Sequence, residues 1–186
     1  MAKIYVGLIH APVYNKNHEI VTTSLTNLDL HDIARACTTY GVRGYYIVHP
    51  AKAQRDLARR IMSFWQQGFG GTYNPDRREA FDLVRLVSTL EEALTDIRSE
   101  TATEPLTIGT DAGYYPNAVH YARMRALLEG DGVYLLLFGT GWGLLQEDMK
   151  KMDYILAPIC GPAEYNHLSV RSAVSIILDR LRGVYS

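Results

Sequence analysis

Residues 131–144 read Asp131-Gly132-Val133-Tyr134-Leu135-Leu136-Leu137-Phe138-Gly139-Thr140-Gly141-Trp142-Gly143-Leu144. The apolar run Val133 to Phe138 is too short for a helix and reads as a strand buried on both faces. Glycines at 139, 141 and 143 then predict a loop whose backbone approaches a ligand closely, with no Cβ in the way. A second apolar run, Tyr154-Ile155-Leu156-Ala157-Pro158-Ile159, ends in Cys160-Gly161-Pro162. It leads to a helical segment that Asn166-His167-Leu168-Ser169 is expected to open, with Asn166 accepting from the Ser169 N–H as N-cap. Two buried strands that each end in such a loop describe a small-molecule pocket built largely from main-chain groups.

Outward from this stretch, strand and helix signals alternate. Strands are expected at 3–10, 45–48, 83–87 and 106–110. A polar loop (Asn15-Lys16-Asn17, Thr22-Thr23-Ser24) follows the first. Leu28 to Tyr40 reads as a helix, with Leu30, Ile33, Ala34 and Cys37 at helical spacing and Gly41 as its stop. Further helices are expected over Ala51–Gln67, over Leu90–Ser99 capped by Thr89, and from Asn117 to Glu129. Six strands alternating with helices mean parallel pairing in an α/β layered fold, read as one domain over residues 1–186. Ligands of such sheets lie beyond the carboxyl ends of the strands. Those ends here are Gly109-Thr110-Asp111-Ala112-Gly113, Gly139 to Leu144 and Ala157 to Ser169.

Composition narrows the class. With 47% hydrophobic and 21% charged residues the chain is that of an ordinary globular protein. It has no apolar run approaching the roughly 18–20 residues of a membrane span. The first ten residues read as a strand, not as a signal peptide, and two cysteines make no disulfide framework, so a cytoplasmic protein is the simplest expectation. Net charge is −1, but residues 52–78 hold six basic side chains against two acids. This is either one basic face or an ordinary solvated helix surface. The histidines are scattered and no zinc-type spacing occurs, so no metal is expected.

Three stretches resemble a known family. Asp29-Leu30-His31-Asp32-Ile33-Ala34-Arg35, Phe138-Gly139-Thr140-Gly141-Trp142-Gly143-Leu144, and Ala157-Pro158-Ile159 with His167-Leu168-Ser169-Val170-Arg171-Ser172-Ala173 are similar to the three motifs of the SPOUT (SpoU–TrmD) superfamily. These are trefoil-knotted, S-adenosylmethionine-dependent RNA methyltransferases, and the likeness is to a bacterial branch. It covers nearly all of the chain. Four positions depart from the family pattern: Asp29 and Ser169 replace asparagines, Gly141 a glutamate and Arg171 a serine. The resemblance implies a parallel-sheet α/β knot whose C-terminal segment threads a preceding loop, S-adenosylmethionine as cofactor, RNA as substrate, and a homodimer with the site at the subunit interface.

On that resemblance, backbone groups of Gly139, Thr140, Gly141, Ala157, Ile159 and Gly161 hold adenine and ribose, beside Phe138. Leu168 and Ile159 cover the ring, Thr110 closes the amino-acid side, and Asn166, His167 and Ser169 complete the loop. Arg35 is the substrate-side catalytic candidate, for an RNA phosphate or a nucleophilic oxygen; a surface arginine or a dimer salt bridge is the other reading, and the motif favours the first. Asp111 is either a base, a partner for the sulfonium, or an Asx turn before Gly113. Trp142 and the loop residues Tyr73, Asn74, Arg77 and Arg78 combine aromatic and cationic groups suited to single-stranded RNA. Two other functions remain open: a non-catalytic S-adenosylmethionine-binding module and a nicotinamide oxidoreductase. The latter needs Gly-x-Gly-x-x-Gly and an acid ending the next strand, whereas Asp153 stands at that strand's start.

Overall fold

The computed structural model describes residues 1–68 and 75–184. In chain order its elements are β1 (Lys3–Ile9), β2 (Val13–Tyr14), β3 (Ile20–Val21), α1 (Asn27–Thr39), β4 (Gly44–Val48), α2 (Lys52–Gln66), α3 (Pro75–Phe81) and β5 (Val84–Val87). There follow α4 (Leu90–Thr101), β6 (Leu106–Gly109), α5 (Tyr121–Leu127), β7 (Val133–Gly139), α6 (Gln146–Met149), β8 (Tyr154–Ile155) and α7 (Val170–Arg182).

Six strands form one sheet in the order β5-β4-β1-β7-β6-β8, and every neighbouring pair is parallel. Because the sheet is covered on both sides, its strands are apolar on both faces. Along β1, Ile4, Val6 and Leu8 join the core packed with α1 and α7. Tyr5 and Ile9 join the opposite core, with Ala93 and Ile97 of α4 and Met149 of α6. Helix α1 begins where Thr26 Oγ1 accepts from the Asp29 N–H, and it buries the expected face of Leu30, Ile33, Ala34 and Cys37. Burying each larger side chain of that face contributes roughly 1.5–3 kcal/mol.

Four sequence expectations are corrected. The segment after β1 is not a plain polar loop: Val13–Tyr14 and Ile20–Val21 pair as an antiparallel hairpin. The run 154–159 gives only a two-residue strand, because Leu156 turns to bridge Val119. That bridge also delays α5. The Val119 N–H donates to Ile155 O at 2.7 Å and Ala157 N–H to Val119 O at 2.9 Å, so Val119 lies beside the end of β8 and the helix starts after His120. Arg77 and Arg78 sit on helix α3 and not in a loop; Tyr73 and Asn74 lie outside the described residues.

Candidate active site

The loops that leave β1, β6, β7 and β8 meet at the carboxyl edge of the sheet, next to the central strand β1, where the winding order reverses. They enclose a cleft of about 1020 Å³. The turn after β7 requires glycine. A Cβ on Gly139 would lie 2.6 Å from Gly143 C and Leu144 N. Gly141 has φ +60, and its Cβ would lie 2.7 Å from Tyr14 O. That oxygen belongs to β2: Trp142 N–H donates to Tyr14 O at 2.8 Å and Tyr14 N–H to Gly143 O at 3.0 Å. The hairpin is thus the support on which the glycine turn is laid.

Behind the turn runs a buried polar chain. The Thr140 hydroxyl donates to Ile9 O at 3.0 Å and lies 2.5 Å from the Thr23 hydroxyl. Thr23 Oγ1 lies 3.1 Å from His10 Nδ1. With Thr140 donating to the Ile9 carbonyl, the one Thr23 hydroxyl proton is shared between Thr140 Oγ1 and His10 O, 3.3 Å away. Thr23 accepts from His10 Nδ1–H, which leaves His10 Nε2 a bare nitrogen, buried and without a protein partner. His49, stacked 5.4 Å from His10, accepts at Nδ1 from Ala51 N–H and so donates from Nε2 to Thr23 O at 2.9 Å. Burial, and then the neighbouring His49, push the His10 value down to about 4. Burial first, with Arg55 adding to it against the Thr23 hydrogen bond, lowers His49. Both rings are neutral, as these hydrogen-bond roles require.

The cleft is lined by Thr110, Asp111, Phe138, Gly139, Thr140, Gly141, Trp142, Ala157, Ile159, Asn166, His167, Leu168 and Ser169. Asn166 does not cap α7. Its Nδ2 donates to Ala112 O at 2.7 Å and ties the last loop to the one after β6. Ser169 is the N-cap and accepts from the Ser172 N–H at 3.3 Å. Asp111 forms an Asx turn, accepting from Gly113 N–H at 2.6 Å, and still faces the cleft.

Other candidates lie elsewhere. Gly161 is exposed, is not part of the lining, and a Cβ there meets nothing within 4 Å, so the close-approach argument does not hold for it. Arg35 is exposed on α1. Asp29 of the same helix does line the cleft, but six residues turn the helix by about 600°, which puts Arg35 roughly 120° around the axis from it. Arg77 packs its guanidinium over Trp65 at 4.8 Å, and Arg78 is exposed on α3. On α2, Lys52 and Arg59 both bond Asp56 and Arg55 binds the carbonyls of His49 and Pro50, so most of that basic run is engaged internally.

Sequence reasoning missed the wall formed by His18, Thr23, Ser24, Thr26 and Asp29. The only signal for it was Asp29, visible as a departure from a motif. Its carboxylate accepts from Thr26 Oγ1 and sits 3.7 Å from Arg171 Nε. Asp29 and Asp111 therefore bring two carboxylates to one cleft.

A parallel sheet with glycine-built loops and apolar cover at one carboxyl edge is an α/β fold arranged round a small-molecule cleft. The chain matches the model of a SAM-dependent RNA methyltransferase family over residues 3–183, and it belongs to that family. It is 46% identical over 179 residues to an uncharacterized protein of Aquifex aeolicus, covering 96% of this chain and 87% of that one. It is 45% identical over 180 residues to a protein of Oleidesulfovibrio alaskensis named tRNA (guanine-N(1)-)-methyltransferase; this covers 97% of this chain but only 42% of that relative. Among solved structures, TrmJ from Z. mobilis superposes with a TM-score of 0.60 at 17% identity, covering 100% of this chain and 70% of that one. The A. aeolicus TrmH/SpoU tRNA modifying enzyme gives 0.55 at 15%, covering 97% and 73%.

The residues present fit the family's cofactor. The lining holds the kinds of group that cofactor needs: the Asp111 carboxylate for a cationic group, and Ile159 and Leu168 for a flat ring. The volume is at the upper end of the roughly 300–1,000 Å³ usual for small-molecule sites, which leaves space for an acceptor group. Among the described residues no cluster of three or more His, Cys, Asp or Glu side chains is placed to hold a metal ion, and no helix is long and apolar enough to cross a membrane.

Proposed function

We propose that residues 1–186 act as one domain that methylates an RNA nucleotide, with S-adenosylmethionine held in the cleft. The observation that carries this reading is the convergence of Thr110, the 139–141 turn and the 157–169 loop on one cavity faced by two carboxylates. When bound, the cofactor supplies an activated methyl group on a sulfonium. The chain's own work is positioning. Main-chain groups at Gly139 to Gly141 and Ala157 to Ile159 hold adenine and ribose, Leu168 covers the ring, and Thr110 with Phe138 closes the inner end. Asp111 attracts the cationic end and takes a proton from an acceptor, while Asp29, engaged by the Thr26 hydroxyl and Arg171, fixes the facing wall.

The chain works as a homodimer. The groove between α1 and α7, edged by Asp32, Arg171, Ser172 and Ser175, is the face assigned to the second copy. Arg35, remote from its own chain's cleft, reaches the acceptor from that copy and binds its phosphate or oxygen. The C-terminal segment threads the loop after β7 as a trefoil knot. This is supported by the return of the chain from β8 at the sheet edge, past Trp142, to α7 packed on α1. Arg78, with Tyr73 and Asn74, leads the RNA strand to the cleft, and an RNA substrate makes the cytoplasm the working compartment. Transfer of labelled methyl from S-adenosylmethionine to bulk RNA, with tRNA assayed first because of the relative's name, tests this reading. Incorporation that Gly141→Ala abolishes is expected. No incorporation into any RNA fraction from the source cell would overturn it.

A further inference from the structure

The mouth of the cleft carries a row of three aromatic rings. Trp142 lies within the glycine turn, is 57% exposed, and its backbone N–H donates to Tyr14 O. Its ring centre lies 5.9 Å from that of His167, which in turn lies 5.7 Å from Tyr165, itself 75% exposed. All three line the cleft. They come from two loops 20 residues and more apart, and the Asn166–Ala112 bond holds the second loop in place. The row is therefore assembled by the fold and not by chain adjacency. Large rings left in water at the rim of a site mark a surface that is covered when the site works, and in an RNA-acting family the cover of matching chemistry is a nucleobase.

We infer that Trp142, His167 and Tyr165 form a stacking platform for an unpaired base, so that the acceptor lies in a loop, a single strand or a flipped-out position and not within a duplex. The inference rests on the methyl-transfer reading of the cleft. A base inside an A-form helix has both faces occupied by its neighbours, whereas an unstacked base offers its face to an aromatic side chain whatever its identity. Stacking of this kind carries about tenfold or more in affinity per base. It also accounts for a large cleft: the inner part serves the cofactor and the rim serves the acceptor.

The test is binding of a labelled oligoadenylate of about twelve nucleotides, a length within ordinary single-strand site sizes, read by fluorescence anisotropy with S-adenosylhomocysteine saturating. The same strand annealed to its complement is the comparison. The platform predicts duplex binding at least tenfold weaker, and a loss of about tenfold or more for the single strand in Tyr165→Ala and in Trp142→Ala. Trp65→Phe leaves Trp142 the sole tryptophan of the chain's two, and its fluorescence should fall on adding the oligonucleotide, not on adding S-adenosylhomocysteine alone. Equal binding of duplex and single strand, or no oligonucleotide binding at all, overturns the inference. So does a fall in S-adenosylhomocysteine affinity in Tyr165→Ala, which would make the rings a cover for the cofactor. Calorimetry without RNA separates these results from failure of the cofactor reading itself.

Discussion

The hydroxyls of Thr23 and Thr140, 117 residues apart in the chain, lie 2.5 Å from each other. That bond, together with the two backbone bonds of Tyr14, joins the hairpin that follows β1 and the segment after it to the turn that follows β7. The glycine turn is thus held from behind by Thr23, His10 and His49, and from below by Tyr14.

Thr23→Val removes the middle of the chain and leaves His10 Nδ1–H without an acceptor. A buried donor left unsatisfied costs on the order of 1–3 kcal/mol. Urea unfolding should show that loss, and calorimetry should show weaker S-adenosylhomocysteine binding because the turn is no longer fixed. Unchanged unfolding midpoints would mean that the bond is not formed in solution.

Acid should destabilise the fold through the same network. His10 has a folded-state value near 4, below the roughly 6.5 of an unfolded histidine, so the unfolded chain binds more protons between those values. Its contribution is complete above about pH 6.5 and is lost as pH falls toward 4, with His49 shifted in the same direction. A series of urea midpoints from pH 7.5 to 4.5 should decline, and His10→Asn should flatten the decline. A parallel slope in both proteins would assign the acid sensitivity elsewhere.

The glycines of the two loops should behave differently. Gly141→Ala places a Cβ 2.7 Å from Tyr14 O at a φ of +60, a conformation that costs an L-residue roughly 1–2 kcal/mol before the clash is counted. Gly139→Ala drives a Cβ into the backbone of Gly143. Both should lose cofactor affinity by tenfold or more, whereas Gly161→Ala, with open space around it, should bind within twofold of the parent.

Arg35 offers a test of the two-copy site. Arg35→Ala alone should lower methyl transfer and leave S-adenosylhomocysteine affinity unchanged. Mixed with Gly141→Ala, it should regain part of the activity, because one site of the heterodimer would combine an intact cleft with an intact Arg35. Absence of rescue, with mixed dimers demonstrated, would place Arg35 on its own chain's site or outside the reaction.

The longer helices α1, α2 and α4 and the central strands were readable because their signals are local, whereas the short α3 and α6 were not. Thr89 accepts from Glu92 N–H as its position before an acidic first turn predicts, and β7 covers the apolar run with one residue to spare. What was not legible depends on partners distant in sequence. Val13 and Tyr14 are a strand only because β3 and the glycine turn bond them. Both Asn166 and Ser169 are good caps by type; Ala112, 54 residues upstream, claims the asparagine and leaves the serine to the helix. Asp29 could be read as a departure from a motif, but its place in the same cleft as Asp111 required the fold.

The central claim is that the cleft at the end of β7 holds S-adenosylmethionine. Calorimetric titration of the purified chain with S-adenosylhomocysteine, with NAD as control, tests it most directly. Saturable binding of one S-adenosylhomocysteine per chain, lost in Gly141→Ala and absent for NAD, is the predicted result. Binding of NAD, or S-adenosylhomocysteine binding that Gly141→Ala leaves intact, would contradict it.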